Sequence, residues 1–208
     1  MTKILGAEEP GTIEKAAKLI KAGELVAFPT DTLYGVGADI SNAGALVRLY
    51  KAKNRPRSKG IPILLASKNY TTTVAAAVPE EAKVLMEYYW PGPLTLILRK
   101  QPSIAAELSP NEGIAVRVPG NDVARALIER TGGALAVTSV NQSGLAPALT
   151  AEEALTALGD AISAVIDGGA VQYGIASTII DFTTDPPRLV RAGPIPAGDL
   201  IRDEAEKE

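Results

Sequence analysis

The sequence predicts an α/β fold with a large twisted mixed sheet and flanking helices. Short apolar runs bounded by turn residues alternate with segments whose apolar residues recur at helical spacing. The 208 residues suit one large domain or two small ones, and no internal repeat or linker divides them. We therefore expect a single domain over 1–208, with its core at about 9–198 and a charged tail at 201–208.

Five segments have the apolar spacing of amphipathic helices. Pro56 must end the second of them, because the residue before a proline is pushed out of the helical region. Pro79 suits the first turn of the third, and Asn121 can cap the fourth. Thr150 and Glu153 fit a capping box for the fifth. The expected helices cover 12–22, 42–54, 79–89, 121–130 and 151–158, and the chain from Arg55 onward is expected to be a loop.

The strand candidates are short apolar runs between turn signals. Pro29 ends the first of them. Gly35 and Gly37 lie in the second, where missing side chains let another backbone or a ligand come close. The expected strands cover 24–28, 35–38, 61–66, 94–98, 114–118, 134–138, 161–166, 178–181 and 188–190.

Positive charge is concentrated in one run of twelve residues, Arg48 to Lys59, which holds six cations and no acid. Without these six, the 21 Lys and Arg residues fall to 15 against 24 Asp and Glu, and the formal net charge falls from −3 to −9. A compact positive site on an otherwise acidic protein favours a small anionic ligand, such as a nucleoside triphosphate, over a long nucleic-acid track. The sequence therefore predicts a concave basic cleft.

The chain has no cysteine and no histidine. This composition excludes disulfides, thiolate nucleophiles, Cys- or His-ligated metal sites and imidazole acid–base chemistry. Catalysis here would have to rest on positioning, Lys and Arg electrostatics, hydroxyls, carboxylates or a borrowed metal ion.

Small polar residues follow or precede several strands. Thr30, Asp31 and Thr32 come directly after the first strand, where they could bond their own backbone in an ordinary turn. They could instead form a polar mouth at the carboxyl end of a strand, where open α/β sheets commonly bind ligands. Other such groups are Ser139, Asn141, Ser143, Ser177 and Thr178. Their repetition is what a shared polar cleft would require.

Two basic features each have two interpretations. The loop from Lys53 to Lys59 could be a solvated cationic loop or could bind phosphate, with Arg offering a fork and Lys a point charge. It is neither a Walker loop nor a G-x-G-x-x-G turn. Arg117 interrupts an apolar strand, and it could point to solvent or line the cleft and bind a carboxylate.

Seven segments carry a family resemblance. They are FPTDTLYGVGA at 28–38, KNRPRSKGIP at 53–62, WPGPLTL at 90–96, AVRVP at 115–119, TSVNQSG at 138–144, STIID at 177–181 and VRAGPI at 190–195. At these residues the chain resembles the YrdC-like family of threonylcarbamoyl-AMP synthases, in family order and over essentially its whole length. We expect a YrdC-like domain with no room for the extra C-terminal domain that some relatives carry.

The resemblance implies a nucleotidyltransferase that combines L-threonine, bicarbonate and ATP into threonylcarbamoyl-adenylate and releases pyrophosphate. Its product would feed the threonylcarbamoyl modification of the adenosine beside the anticodon in certain transfer RNAs, with threonylcarbamoyl-transfer proteins downstream. Mg²⁺ would arrive with ATP. Direct tRNA binding stays open. We expect a cytoplasmic protein with no membrane contact, because residues 1–7 are too short for a signal peptide and no apolar run approaches transmembrane length.

The resemblance also implies site residues by position. The threonine pocket would comprise Thr32, Leu64, Arg117, Val137 and Ser177. The ATP contacts would comprise Arg55, Lys59, Gly113, Ser139, Asn141, Pro147 and Arg191. Catalytic positive charge would come from Lys53, Arg55 and Lys59, and no residue is assigned as a metal ligand. Some relatives have His, Thr and Ser where this chain has Leu64, Gly113 and Pro147, so here the first would offer apolar contact and the others backbone alone.

The implied chemistry suits a chain without histidine. A carbamate formed from threonine's amine is already an anionic nucleophile, so its attack on the α-phosphate chiefly needs alignment and charge neutralisation. Because that carbamate is labile, we expect the loop from Arg55 to Lys59 to act as a lid. Two rivals are a non-catalytic RNA-binding module and a carbamoyl-adenylate-forming domain that uses another acceptor.

Overall fold

A computed structural model describes residues 2–200, with the side chain of Asp199 left out. The expected charged tail at 201–208 lies outside the described residues. Ten strands, six α-helices and three 3-10 turns make up the described chain. The strands are β1 Lys3–Gly6, β2 Val26–Pro29, β3 Tyr34–Asp39, β4 Ile63–Leu65, β5 Leu94–Arg99, β6 Gly113–Arg117, β7 Ala134–Ser139, β8 Ala164–Asp167, β9 Thr178–Asp181 and β10 Arg188–Arg191. The helices are α1 Thr12–Lys21, α2 Ala43–Ala52, α3 Thr71–Val74, α4 Glu80–Tyr89, α5 Asp122–Arg130 and α6 Ala151–Leu158, and the 3-10 turns are Lys68–Tyr70, Gly159–Ala161 and Ala197–Asp199.

All ten strands belong to one mixed sheet, in the order β1-β8-β2-β3-β7-β4-β6-β5-β9-β10. Neighbours run parallel in four pairs, β1 with β8, β8 with β2, β4 with β6, and β5 with β9. The other five pairs are antiparallel. The expected large mixed sheet with flanking helices is therefore confirmed.

Helices α1 and α5 pack against each other and cover part of one sheet face. Their apolar residues, including Ile20 and Leu127, join Phe28 and Leu64 in one buried cluster. Arg117 is the register partner of Leu64 on the next strand, so it lies on the same face, beyond the two helices. This uncovered part of the face forms the floor of the cleft described below. The opposite face carries the larger core, against which α2 and α6 pack.

Most predicted elements are present, with shifted ends. Helix α2 stops at Ala52 rather than at residue 54, because Asn54 has a positive φ of 48° and turns the chain out of the helix first. The capping box of α6 is half formed: Thr150 accepts from the Glu153 backbone N–H, while the Glu153 carboxylate turns to Leu149.

One strand was not predicted. Strand β1 lies before the expected core of 9–198 and pairs in parallel with β8. It has one buried position in four residues, so its sequence has too little apolar pattern to reveal it.

Within residues 2–200, no helix combines the length and apolar content that a bilayer-spanning helix needs.

Candidate functional site

A cleft of about 470 Å³ lies over the uncovered part of the sheet. Nine of the predicted site residues line it: Thr32, Arg55, Leu64, Gly113, Arg117, Val137, Ser139, Ser177 and Arg191. Four others do not, and these are Lys53, Lys59, Asn141 and Pro147. The fold thus brings together strand and loop residues from most of the chain, as the repeated polar groups predicted.

Arg117 is buried in the wall of this cleft, with only 5% of the residue exposed. Its Nε donates to the Gly92 carbonyl at 2.9 Å, and its Nη1 donates to Thr32 Oγ1 at 2.8 Å. Its Nη2 forms an ion pair with Asp31 Oδ1. The solvent-facing interpretation of Arg117 is therefore wrong. A guanidinium has five N–H groups, so three internal bonds leave two for a ligand.

The charges around Arg117 are closely coupled. Burial lowers the pKa of Arg117, the carboxylate of Asp31 acts in the opposite direction, and the positive charge of Arg191 lowers it further. Arg117, Asp31 and Arg191 together carry a net charge of +1. A ligand with one negative charge would neutralise this group.

The turn after β2 serves both roles that its sequence allowed. Thr30 Oγ1 donates to the Leu33 carbonyl at 2.6 Å and accepts from the Leu33 backbone N–H at 3.2 Å, which makes a local turn. That turn leaves the Thr32 side chain in the cleft wall and directs Asp31 to Arg117. The sequence placed Asp31 in this possible polar mouth but did not predict its contact with Arg117.

Ser177 links two sides of the cleft. Its hydroxyl lies 2.7 Å from Thr95 Oγ1 and accepts from Arg191 Nη2 at 3.1 Å. The Ser177 carbonyl also accepts from Arg191 Nε at 2.9 Å. These bonds hold the Arg191 guanidinium beside the cleft. Thr95, which lies in the quoted WPGPLTL segment, was not among the predicted site residues.

Lys53 lies under the site rather than in it. The residue is 2% exposed, and its ammonium donates to the Ser139 carbonyl and to Asn141 Oδ1. Ser139 Oγ donates to the same Asn141 oxygen at 2.9 Å. Burial, assisted by the charge of Arg55, lowers the pKa of Lys53 to about 8. In this structure Lys53 therefore joins the end of α2 to the loop after β7.

The basic loop after α2 divides between cleft and solvent. Arg55 lines the cleft, and its Nη2 donates to the Gly60 carbonyl at 2.6 Å while its Nε donates to the Lys59 carbonyl at 3.1 Å. Burial lowers the pKa of Arg55. Arg57 and Lys59 are exposed. Lys59 contributes its backbone carbonyl to this loop, and its side chain is not part of the cleft wall.

Two glycines shape the cleft floor by close approach. An added Cβ at Gly35 would lie 2.7 Å from Val137 Cγ1. One at Gly113 would lie 2.8 Å from Ile97 Cγ2 and 3.2 Å from Thr183 Cγ2. The space beside Gly113 is thus already filled by neighbouring methyl groups.

A protein cage for a metal ion is not among the described residues. Residues 2–200 hold no group of three or more Asp or Glu side chains placed to share a cation. Asp181 is the one acidic side chain in the described wall of the cleft. One carboxylate could contribute at most one side-chain ligand group to Mg²⁺, so the remaining ligands of an ion in this cleft would be phosphate or water oxygens.

Comparisons with known proteins agree with this fold. A family model named Sua5_yciO_yrdC, described as telomere recombination, matches residues 18–193. A relative from Pyrococcus abyssi named threonylcarbamoyl-AMP synthase is 37% identical over 193 residues, which is 92% of this chain and 57% of the relative. This chain therefore spans a little over half the length of that relative.

Solved structures give the same result. The structure of P. abyssi Sua5 complexed with L-threonine superposes with a TM-score of 0.91 at 36% identity, covering 96% of this chain and 59% of that one. Escherichia coli YciO superposes with a TM-score of 0.85 at 26% identity. The match covers 97% of this chain and 99% of the YciO chain. The similarity therefore extends over nearly all of this chain.

Proposed function

Because this chain belongs to the Sua5/YciO/YrdC family, we propose that it is a threonylcarbamoyl-AMP synthase acting on L-threonine, bicarbonate and ATP. The proposal rests chiefly on one observation: Arg117, Arg55 and Arg191 line the same cleft, together with the hydroxyls of Thr32, Ser139 and Ser177. Such a cleft can hold a small carboxylate and a polyphosphate side by side. The P. abyssi relative that was crystallised with L-threonine supports the choice of amino acid.

Threonine would bind at the Arg117 end. The two unused N–H groups of Arg117 can donate to its carboxylate as a two-point hydrogen-bonded contact. Leu64 and Val137 offer apolar contact to the threonine methyl group. Ser177 and Thr32 offer hydroxyls to its polar groups.

The triphosphate would bind where Arg55, Arg191 and Ser139 meet the cleft. Arg55 is held by the Lys59 and Gly60 carbonyls, and Arg191 by Ser177, so both guanidinium groups are oriented before a ligand arrives. Lys53 would act from below by holding the Ser139 and Asn141 loop. Mg²⁺ bound to the triphosphate would supply further charge neutralisation.

In the proposed reaction, the threonine amine and bicarbonate form a carbamate with loss of water. A carbamate oxygen then attacks the α-phosphorus of ATP, and the bond to the bridging oxygen breaks to release pyrophosphate. This step needs alignment and positive charge more than a general base, because the nucleophile is already an anion. Arg55 and Arg191 provide the charge, and Arg117 and Thr32 hold the threonine part in place. The threonylcarbamoyl-adenylate would then pass to transfer proteins that modify tRNA.

The test is pyrophosphate release by the purified chain with L-threonine, L-serine or no amino acid, each with and without bicarbonate. We expect release only with both threonine and bicarbonate, and a product whose mass is that of threonylcarbamoyl-AMP. A product carrying another amine would favour the rival acceptor. Affinity for RNA without threonine-dependent ATP consumption would favour the RNA-binding rival, and either result would overturn the proposal.

A further inference from the structure

Besides its guanidinium groups, the described cleft wall carries one carboxylate. Asp181 is the one acidic residue in the described cleft wall and is 9% exposed. Resting on the ATP-dependent function proposed above, we infer that Asp181 reads the adenine base, accepting a hydrogen bond from its 6-amino group. In that role it makes the site selective for ATP over nucleotides with a 6-oxo purine.

The carboxylate is fixed with one oxygen free of protein hydrogen bonds. Asp181 Oδ1 accepts from the Thr183 backbone N–H at 2.8 Å and from Thr183 Oγ1 at 2.6 Å. Oδ2 has Arg188 Nη2 at 3.9 Å, beyond hydrogen-bond range, and the Arg188 side chain is 69% exposed. A carboxylate oxygen that is held in place and open to a cleft is suited to accept from a ligand N–H.

The surroundings of Asp181 suit a flat ring. Ile97 is the register partner of both Ala115 and Asp181 on the neighbouring strands, so the three residues form a row across the sheet. Ile179 lies two residues before Asp181 on β9, on the same face, and also lines the cleft. The side chains of Ala115, Ile97 and Ile179 together make an apolar floor, which favours contact with a base over contact with charged phosphates.

The spacing agrees with a nucleotide laid along β9. The Arg191 guanidinium is hydrogen-bonded to Ser177. Ser177 lies four residues before Asp181, and four residues of extended chain span about 13 Å. That span is of the order of the reach from a nucleotide's phosphates to the far edge of its base. Negative charge at Asp181 would also repel phosphate, so the phosphates are directed to the arginine end.

The chemistry predicts a preference. Adenine presents an N6 amino donor where guanine and hypoxanthine present an O6 acceptor. A carboxylate accepts from the first and repels the second, whereas a ribose contact would distinguish neither. The Asp181→Asn variant separates these cases, because Asn can still accept from Thr183 through Oδ1 while its amide replaces the acceptor Oδ2 with a donor.

The experiment measures nucleotide binding by calorimetry, in the presence of Mg²⁺ and without threonine, for wild type, Asp181→Asn and the exposed control Asp160→Asn. The probes are ATP, inosine triphosphate and 2′-deoxy-ATP. For wild type and the control we expect inosine triphosphate to bind at least about tenfold more weakly than ATP, and 2′-deoxy-ATP to bind like ATP. Asp181→Asn should reduce the preference for ATP over inosine triphosphate by about tenfold.

The wild-type measurements test the inference even if Asp181→Asn does not fold. Equal wild-type binding of ATP and inosine triphosphate would overturn it. So would an Asp181→Asn protein that keeps the full preference for ATP, or one that loses only discrimination against 2′-deoxy-ATP. If wild type bound ATP with that preference but showed no threonine-dependent pyrophosphate release, the proposed function would fail while the base contact stood. If wild type did not bind ATP at all, both the proposed function and the adenine contact would be contradicted.

Discussion

Arg117 and Asp31 form an ion pair in which the side chains are only 6% and 2% exposed. Asp31 Oδ1 accepts from Arg117 Nη2 and from the Gly120 backbone N–H, the latter at 2.9 Å. The other oxygen, Oδ2, is buried and has no hydrogen-bond partner among the described residues. The pair therefore fixes Arg117 through one oxygen, at the expense of leaving the second unsatisfied.

Removing Asp31 should destabilise the protein strongly. The Asp31→Ala change leaves the Arg117 charge buried without its partner, so we expect the free energy of unfolding to fall by about 3–5 kcal/mol in urea denaturation. The double variant Asp31→Ala/Arg117→Met should lose less than the sum of the single variants. Glu14→Ala is the control, because its pair with Arg130 is more than half exposed and should contribute about 1 kcal/mol or less. A loss for Asp31→Ala as small as that of the control would contradict the expectation.

The buried Lys53 ammonium predicts a pH dependence of stability. The pKa of Lys53 is about 8 in the folded protein against an ordinary value of 10.5. Between these values the unfolded chain binds more protons than the folded one, so stability from this group rises with pH and is lowest below pH 8. The free energy of unfolding of wild type should therefore rise relative to that of Lys53→Met between pH 7 and 10. The exposed Lys51→Met variant should show no such change relative to wild type, and parallel profiles for wild type and Lys53→Met would refute the prediction.

Arg55 and Arg57 allow the loss of one positive charge in the cleft to be compared with the loss of one at the surface. Arg55 lines the cleft, whereas Arg57 is exposed and lies over the Tyr50 ring, 5.8 Å from its centroid. We expect Arg55→Ala to lower kcat/KM for ATP by at least about tenfold, the effect of one lost charge-assisted hydrogen bond. Arg57→Ala should change it by less than about threefold. Steady-state pyrophosphate release would measure both, and equal effects would show that the loop acts through its net charge alone.

Gly35 should set the depth of the amino-acid end of the cleft. The Cβ of Gly35→Ala would lie 2.7 Å from Val137 Cγ1, so Val137 must move, and it lines the cleft. Overpacking of this kind costs about 1–3 kcal/mol, and we expect threonine binding measured by calorimetry to weaken by about tenfold. The Gly35→Ala/Val137→Ala double variant should recover part of the affinity. Gly198→Ala, with nothing within 4 Å of its added Cβ, is the control. Unchanged threonine binding in Gly35→Ala would mean that Val137 moves away from the cleft.

The sequence predicted elements best where the signal was local. Helix α1 has a helical apolar spacing, and helix α5 has a capping asparagine that accepts from the Ala124 backbone N–H at 3.0 Å, as expected. Strand β1 depends instead on pairing with β8, some 160 residues further along the chain. Its four residues contain no pattern that could show this.

Predictions of the site residues likewise succeeded where the signal was local and failed where it depended on contacts between distant parts of the chain. Repeated hydroxyls after strands indicated one polar cleft, and the structure gathers most of them there. Alternation along β6 could not decide which way Arg117 points, because that depends on where α1 and α5 cover the sheet. Asp31 was expected either in a local turn or in a polar mouth of the cleft, but its pairing with Arg117 was not predicted, since that partner lies 86 positions away. Lys53 was assigned to catalysis by resemblance, whereas its contacts here lie beneath the cleft.

The Lys53 contacts also bear on how the site responds to a ligand. Through one ammonium, the end of α2 and the loop after β7 are joined, so the two walls that Arg55 and Ser139 occupy cannot rearrange independently. A ligand that restricts the motion of one wall therefore also restricts the motion of the other. Much of the conformational entropy that two separate loops would lose on binding has already been lost when the chain folds.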